Sequence, residues 1–194
     1  MSKSDPASSR KERNKTIRWV VTIFLITIFV SGTISFISDE IMAHSSIFVA
    51  FVILLAIVLV GIIFDIVGVA VTSADEKPFH SMAARRVPGS QEAIRLLRNA
   101  ERVSSICNDV VGDICGVVSG SASATIAAQV LRNFEFSWPQ IVTLLMSALV
   151  AGLTVGGKAI GKTFAIGSCT TIVHNTGKLI WGFRRFPQLL KKKK

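Results

Sequence analysis

The chain has 194 residues, half of them hydrophobic, and a mean hydropathy of +0.54. These apolar residues come in long runs, which favours membrane spans over the packed core of a soluble domain. The net charge of +10 would indicate nucleic acid in a soluble protein. Here the basic residues flank the apolar runs, so we expect anionic lipid headgroups of the bilayer as the partner and no nucleic acid.

Four apolar runs predict four transmembrane helices, each close to the roughly 20 residues that cross the hydrocarbon core. Only helices satisfy their backbone hydrogen bonds within one segment in lipid, so we expect an all-α, polytopic helical membrane protein. A polar, basic tail at residues 1–16 should be disordered. The membrane domain is predicted at 17–167, with a polar segment at 73–104. Its spans cover about residues 17–37, 46–72, 105–130 and 139–157.

Lysine and arginine are concentrated on one side of the predicted spans. Six lie in or beside the N-terminal tail, six in the 73–104 segment and nine from Lys158 onward, which leaves only Arg132 of the 22 on the other side. Because positively charged loops stay inside the cell, we expect a multi-pass plasma-membrane (inner-membrane) protein with both termini in the cytoplasm.

Two amphipathic segments are expected on the cytoplasmic side. The first is a juxtamembrane helix within 73–104. Its apolar face comprises Ile94, Leu97 and Ala100, and its basic face comprises Arg95, Arg98 and Arg102. This helix either lies on the lipid headgroups or packs on the protein's own spans with its arginines in water. The second segment is a C-terminal amphipathic, basic interfacial tail at 168–194.

Five ionisable residues lie in or at the edges of the predicted spans, where charges are costly and usually face a bundle interior or a watery cavity. They are Asp65, Asp109, Asp113, Lys158 and Lys162. At a rise of about 1.5 Å per residue, Asp113 lies about 12 Å into the third span from its cytoplasmic end. Asp65 and Lys158 reach a similar depth on the second and fourth spans.

Glycines share a face with these acids. On the third span, Asp109 and Asp113 continue into a stripe of small residues at four-residue intervals, which allows another helix to approach closely. The glycines of this stripe are Gly112, Gly116 and Gly120, and the fourth span offers Gly152 and Gly156. We therefore expect the third and fourth spans to pack tightly against each other.

Two explanations account for the aspartates. In the first, oxygen ligands hold a divalent cation such as Mg²⁺, a hard ion that prefers carboxylate, amide and hydroxyl oxygens. The candidate ligands are Asp65, Asn108, Asp109, Asp113 and Ser73. In the second, Asp109 and Asp113 form salt bridges with Lys158 and Lys162, since each pair is spaced i, i+4 on antiparallel spans. The residues alone leave both explanations open.

Three stretches resemble the transmembrane domain of the CNNM/CorC family of magnesium transporters. They are "FDIVGVAVTSADEKPFHSMAARRVPGSQEAIRLLRNAERV", "VGDICG" and "GKAIGKTFA", and the similarity covers roughly residues 46–165. The resemblance implies that magnesium binds between helices in the inner half of the membrane, and it favours a homodimer. The chain departs from the family at Lys158, where a glutamate is usual, and no CBS domain follows the similar region.

The resemblance leads to one leading function and one alternative. The leading expectation is a CorC-like core that handles or transports Mg²⁺, with Asp65 and Asp113 as ligands and Lys158 as a gate or charge partner. The alternative is a non-transporting scaffold or regulator whose intramembrane Asp and Lys residues form structural salt bridges. An enzyme is not expected, because the three histidines belong to no recognisable nucleophile or zinc motif.

Overall fold

The computed structural model describes residues 6–134 and 138–191, and in these ranges the chain is helical with no strand. This confirms the predicted all-α class. The helices are α1 (Pro6–Ala43), α2 (Ile47–Ser73), α3 (Lys77–Ala84), α4 (Ser90–Arg98), α5 (Ala100–Ser105), α6 (Gly112–Asn133), α7 (Pro139–Gly167) and α8 (Cys169–Lys191), with a π-helical segment at Ile106–Val111 between α5 and α6.

Within the described ranges, four stretches are long and apolar enough to cross a membrane, which confirms the predicted number of spans. They are Ile17–Met42, Ile47–Ser73, Ala100–Asn133 and Pro139–Gly167. Large apolar side chains point away from the protein along them: Phe29 and Ile160 are each 75% exposed and Leu144 is 68% exposed. Such a surface suits lipid, since soluble monomers rarely expose large contiguous apolar patches.

The first span begins at Ile17 as predicted, but the helix that contains it extends further at both ends. Helix α1 begins at Pro6, within the tail predicted to be disordered, and residues 1–5 of that tail lie outside the described residues. It continues past residue 37 to Ala43 because the polar Asp39 finds hydrogen-bond partners on α6 and so does not end the helix. The fourth span also runs further than predicted, to Gly167.

Helix α2 is central and contacts both α6 and α7, while α1 packs mainly on α6. One buried cluster joins these helices near the α1–α2 turn, and it contains Met42, Ala50, Leu54, Val58, Ala122, Ile126 and Val150. We call this end of the bundle the turn side. The other end, which carries α3, α4, α5 and α8, is called the basic side.

A second buried cluster attaches the short helices to the span ends on the basic side. It contains Ala70, Val71, Phe79, Ala93, Ala165 and Val173, from α2, α3, α4, α7 and α8. The predicted juxtamembrane helix is thus α4 together with α5. Its apolar residues Ile94, Leu97 and Ala100 pack against this cluster, while Arg95 and Arg98 are exposed. Of the two placements considered, the helix adopts the one on the protein's own spans.

The predicted interfacial tail forms α8, and it approaches α4 at two glycines. Gly89 precedes α4 with φ +85°, in the left-handed region that favours glycine. A Cβ on Gly177 of α8 would lie 2.5 Å from the Gly89 carbonyl oxygen, so the two backbones touch. Residues 192–194 of the predicted tail lie outside the described residues.

Candidate functional site

The spans contain one ion pair between their predicted site residues, Asp65 of α2 with Lys158 of α7. Its Oδ1 and Nζ atoms are 3.7 Å apart, and the side chains are 16% and 27% exposed. The lysine reaches α2 because α7 packs along it: a Cβ on Gly161 would lie 2.8 Å from Ile66, and one on Gly157 would overlap Ile62.

This partner differs from the sequence prediction, which paired Lys158 and Lys162 with the aspartates of the third span. Lys162 is exposed, and so is Asp113; neither takes part in an ion pair or side-chain hydrogen bond within the described residues. Asp109 accepts a hydrogen bond of 2.9 Å from Ser105. The predicted pairing is therefore wrong: the Lys158 ammonium group lies against Gly112 of the third span, but the carboxylate that it pairs with is Asp65 of α2.

The π-helical segment brings Asn108 against α2. Its last turn closes when the Gly112 N–H donates to the Cys107 carbonyl, five residues back, which is the widened hydrogen-bond pattern of a π-helix. A Cβ on Gly68 would overlap the Asn108 amide, so α2 needs a residue without a side chain at this contact. Asn108 donates to the Ser104 hydroxyl at 3.2 Å, while its Oδ1 atom is buried and accepts no hydrogen bond.

Asp65, Asn108, Gly112 and Lys158 together form what we call the polar site. Asp65 lies one helical turn before Gly68, the glycine that Asn108 contacts, so the carboxylate and the amide follow the same face of α2. A Cβ on Gly112 would lie 3.2 Å from Lys158 Nζ. A carboxylate, an ammonium group and a buried amide oxygen therefore gather on the basic side of the membrane bundle.

The other predicted metal ligands lie outside this site. Ser73 is exposed at the end of α2, and Asp109 and Asp113 are exposed on the third span. No three His, Cys, Asp or Glu side chains of the described ranges gather into a group that could hold a metal ion. The wide π turn rotates the residues that follow it, around the helix axis, relative to those that precede it. Sequence spacing that assumes a regular α-helix does not account for this rotation.

The predicted tight packing of glycine faces is seen at one position. Gly112 contacts Lys158, whereas a Cβ on Gly116, Gly120, Gly152 or Gly156 would meet nothing within 4 Å. Gly116 and Gly120 instead line a cleft of about 220 Å³ between α6 and α7. The close approach of α7 uses Gly157 and Gly161 against α2, so the fourth span packs on the second more tightly than on the third.

A second polar group, which the sequence analysis missed, ties α1 to α6. Ser121 and Thr125 donate to the two carboxylate oxygens of Asp39, at 2.6 and 3.2 Å, and the Gln129 amide donates to the Met42 carbonyl. The first span was predicted to end at residue 37, before Asp39. The available signal was the i, i+4 spacing of Ser121 and Thr125, which puts two hydroxyls on one face of a span.

We expect Asp39→Ala to lower the free energy of unfolding by about 1–3 kcal/mol, because two partly buried hydroxyls lose their acceptor. The measurement is thermal or denaturant unfolding of the full chain in detergent. Glu40→Ala is the matched control, since the Glu40 carboxylate is 65% exposed and forms an ion pair with the neighbouring, exposed His44. Equal effects of the two substitutions would show that the Asp39 hydrogen bonds do not hold α1 in place.

The chain matches no protein-family model, no curated protein and no solved structure in the three comparisons made. The structure itself shows an all-α membrane bundle with a polar site between its second, third and fourth spans.

Proposed function

We propose that the chain handles Mg²⁺ or a related divalent cation at the polar site. The observation that carries the proposal is the buried side-chain oxygen of Asn108, which has no hydrogen-bond donor and lies against Gly68, one helical turn from Asp65 on α2. Carboxylate and amide oxygens are the ligands that Mg²⁺ prefers, and an intramembrane carboxylate usually marks an ion path.

Lys158 has the role of a competitor in this proposal. Its ammonium group lies 3.7 Å from the Asp65 carboxylate and balances its charge. A divalent cation would have to displace this group, because two cations cannot share one carboxylate without strong repulsion. Binding thus moves Lys158 away from Asp65, which makes the lysine a gate. Asp109 and Asp113, exposed on the same third span, would attract cations toward the site.

The membrane orientation is part of the proposal. The basic side would face the cytoplasm, because it carries nearly all lysine and arginine residues, and both termini would lie there in the plasma membrane. The polar site would then open toward the cytoplasmic half of the bilayer. A homodimer is proposed on the family resemblance alone.

Transport is tested with the full chain in proteoliposomes that enclose a magnesium-sensitive dye. We expect Mg²⁺ influx above that of empty liposomes, and its loss in Asp65→Asn, which keeps the shape of the side chain but removes its charge. Asp75→Asn is the control, since Asp75 is an exposed acid beyond the end of α2. Absence of influx and of any Mg²⁺ effect on the wild-type protein would end the cation proposal.

A structural ion pair is the second candidate role, and the direct Asp65–Lys158 contact favours it. Here the chain is a scaffold or regulator that transports nothing, and the pair holds α2 and α7 in register. This role requires the pair to contribute to stability and Mg²⁺ to have no effect on it.

A further inference from the structure

A cleft of about 430 Å³ lies between α8 and the turn that leads into α4. Trp181 and Arg185 line it from α8, and Arg86 lines it from the other wall. The Arg185 guanidinium lies 5.0 Å from the centre of the Trp181 ring. We propose that this cleft binds the phosphate group of an anionic lipid headgroup. The proposal is independent of the cation site.

The charges of the cleft favour an anion. Neither Arg86 nor Arg185 has an acidic partner in the part of the chain that the structure describes. The carboxylate that lines the cleft, Glu92, lies 3.8 Å from Arg95, which offsets its charge. Two guanidinium groups supply planar sets of N–H donors that match phosphate oxygens, and such charge-assisted hydrogen bonds are stronger than neutral ones.

Two neighbouring features support the same ligand. Contact with the Trp181 ring favours one orientation of the Arg185 guanidinium, so less side-chain freedom is lost when an anion binds. The cleft also includes Gln91 and Glu92 in the first turn of α4, where backbone N–H groups have no acceptor within the helix. The positive end of the helix dipole points the same way, toward an anion.

The position of α8 favours a lipid over free phosphate as the source. Helices α4 and α8 pack on the span ends of α2 and α7, so the cleft belongs to the part of the protein beside the membrane surface. Leu179 and Phe183, one turn apart on α8, are 66% and 80% exposed. These two residues face away from Trp181 and Arg185, so α8 has an apolar face opposite the cationic one, and such an amphipathic helix suits the boundary between acyl chains and headgroups.

The test uses the full chain in a non-ionic detergent, with Trp19 and Trp138 replaced by phenylalanine so that fluorescence reports on Trp181. Both replaced residues are exposed, at 47% and 67%. Three probes are titrated: dioctanoylphosphatidylglycerol, inorganic phosphate, and dioctanoylglycerol, which lacks the phosphate. Two double variants with the same loss of charge are compared, Arg86→Gln with Arg185→Gln, and Arg85→Gln with Arg184→Gln.

We expect a saturable fluorescence change with the phosphatidylglycerol and none with dioctanoylglycerol. The Arg86 and Arg185 variant should lose at least about tenfold in affinity, while the Arg85 and Arg184 variant stays within about twofold. Because Arg185 itself contacts Trp181, the shift in melting temperature caused by the lipid is measured as a second readout. Saturation by inorganic phosphate at the same affinity would overturn the lipid assignment. Equal losses in both variants, or no saturable binding, would overturn the site itself.

Discussion

Lys158→Met is expected to lower the free energy of unfolding by about 3–5 kcal/mol, because it leaves the largely buried Asp65 carboxylate without its counter-charge. Asp65→Asn should cost less, since a lysine close to the end of a span can extend toward water. The measurement is denaturant unfolding of the full chain in detergent. Lys162→Met, one turn along α7 at an exposed position, is the control and should have little effect.

The double variant Asp65→Asn with Lys158→Met separates a true pair from two independent sites. Removing both charges should cost clearly less than the sum of the single costs, with a coupling of at least about 1 kcal/mol. If the single costs add, the 3.7 Å contact does not contribute to stability and the scaffold role loses its basis.

The same variants distinguish the two candidate functions when Mg²⁺ is added. If the cation competes with Lys158 for Asp65, Lys158→Met should bind Mg²⁺ more tightly than the wild type, and Mg²⁺ should restore part of its lost stability. Mg²⁺ at saturating concentration should then have no such effect once Asp65 is asparagine. If the pair is only structural, Mg²⁺ leaves the stability of all variants unchanged.

The spans could be predicted from sequence because the cost of exposing polar groups to lipid acts on each segment separately. Runs of 18 or more apolar residues therefore mark helices whatever their neighbours are. The depth of a residue in the membrane could also be predicted. Asp65 and Lys158 were placed at a similar depth, and the structure brings them together. Position along a helix follows from the rise per residue and requires no knowledge of packing.

Orientation around the helix axis could not be predicted, because it depends on contacts between spans. Gly157 and Gly161 direct α7 toward α2, and the π-helical segment changes the faces of the third span between Ser105 and Gly112. The i, i+4 spacing on antiparallel spans thus assigned Lys158 to the wrong partner. Asp39 was missed because a polar residue after an apolar run is typical of a turn. Its two hydroxyl partners lie 82 and 86 residues away in the chain, so their contact with Asp39 depends on how the spans pack.

Gly177→Val is expected to separate α8 from α4, which makes it one of the most destabilising single substitutions in this chain. A Cβ at position 177 would lie 2.5 Å from the Gly89 carbonyl oxygen and 2.9 Å from the Ala93 nitrogen. Both are backbone atoms, so no side-chain rotation relieves the overlap. The loss of stability should be about 3 kcal/mol, the upper part of the usual range for overpacking.

Gly182→Val is the matched control, because it lies on the same helix and a Cβ there would meet nothing within 4 Å. In a helix, valine replaces glycine with a small gain in propensity, so Gly182→Val should be neutral or slightly stabilising.

Hydrogen exchange of the full chain in detergent should show faster exchange in α4 and α8 for Gly177→Val, while α1 and α6 exchange as in the wild type. If α8 is equally protected in both variants, the contact between Gly89 and Gly177 does not fix α8 to the bundle. The proposed lipid cleft would then lose one support of the wall that carries Trp181 and Arg185, since α8 approaches α4 at this contact.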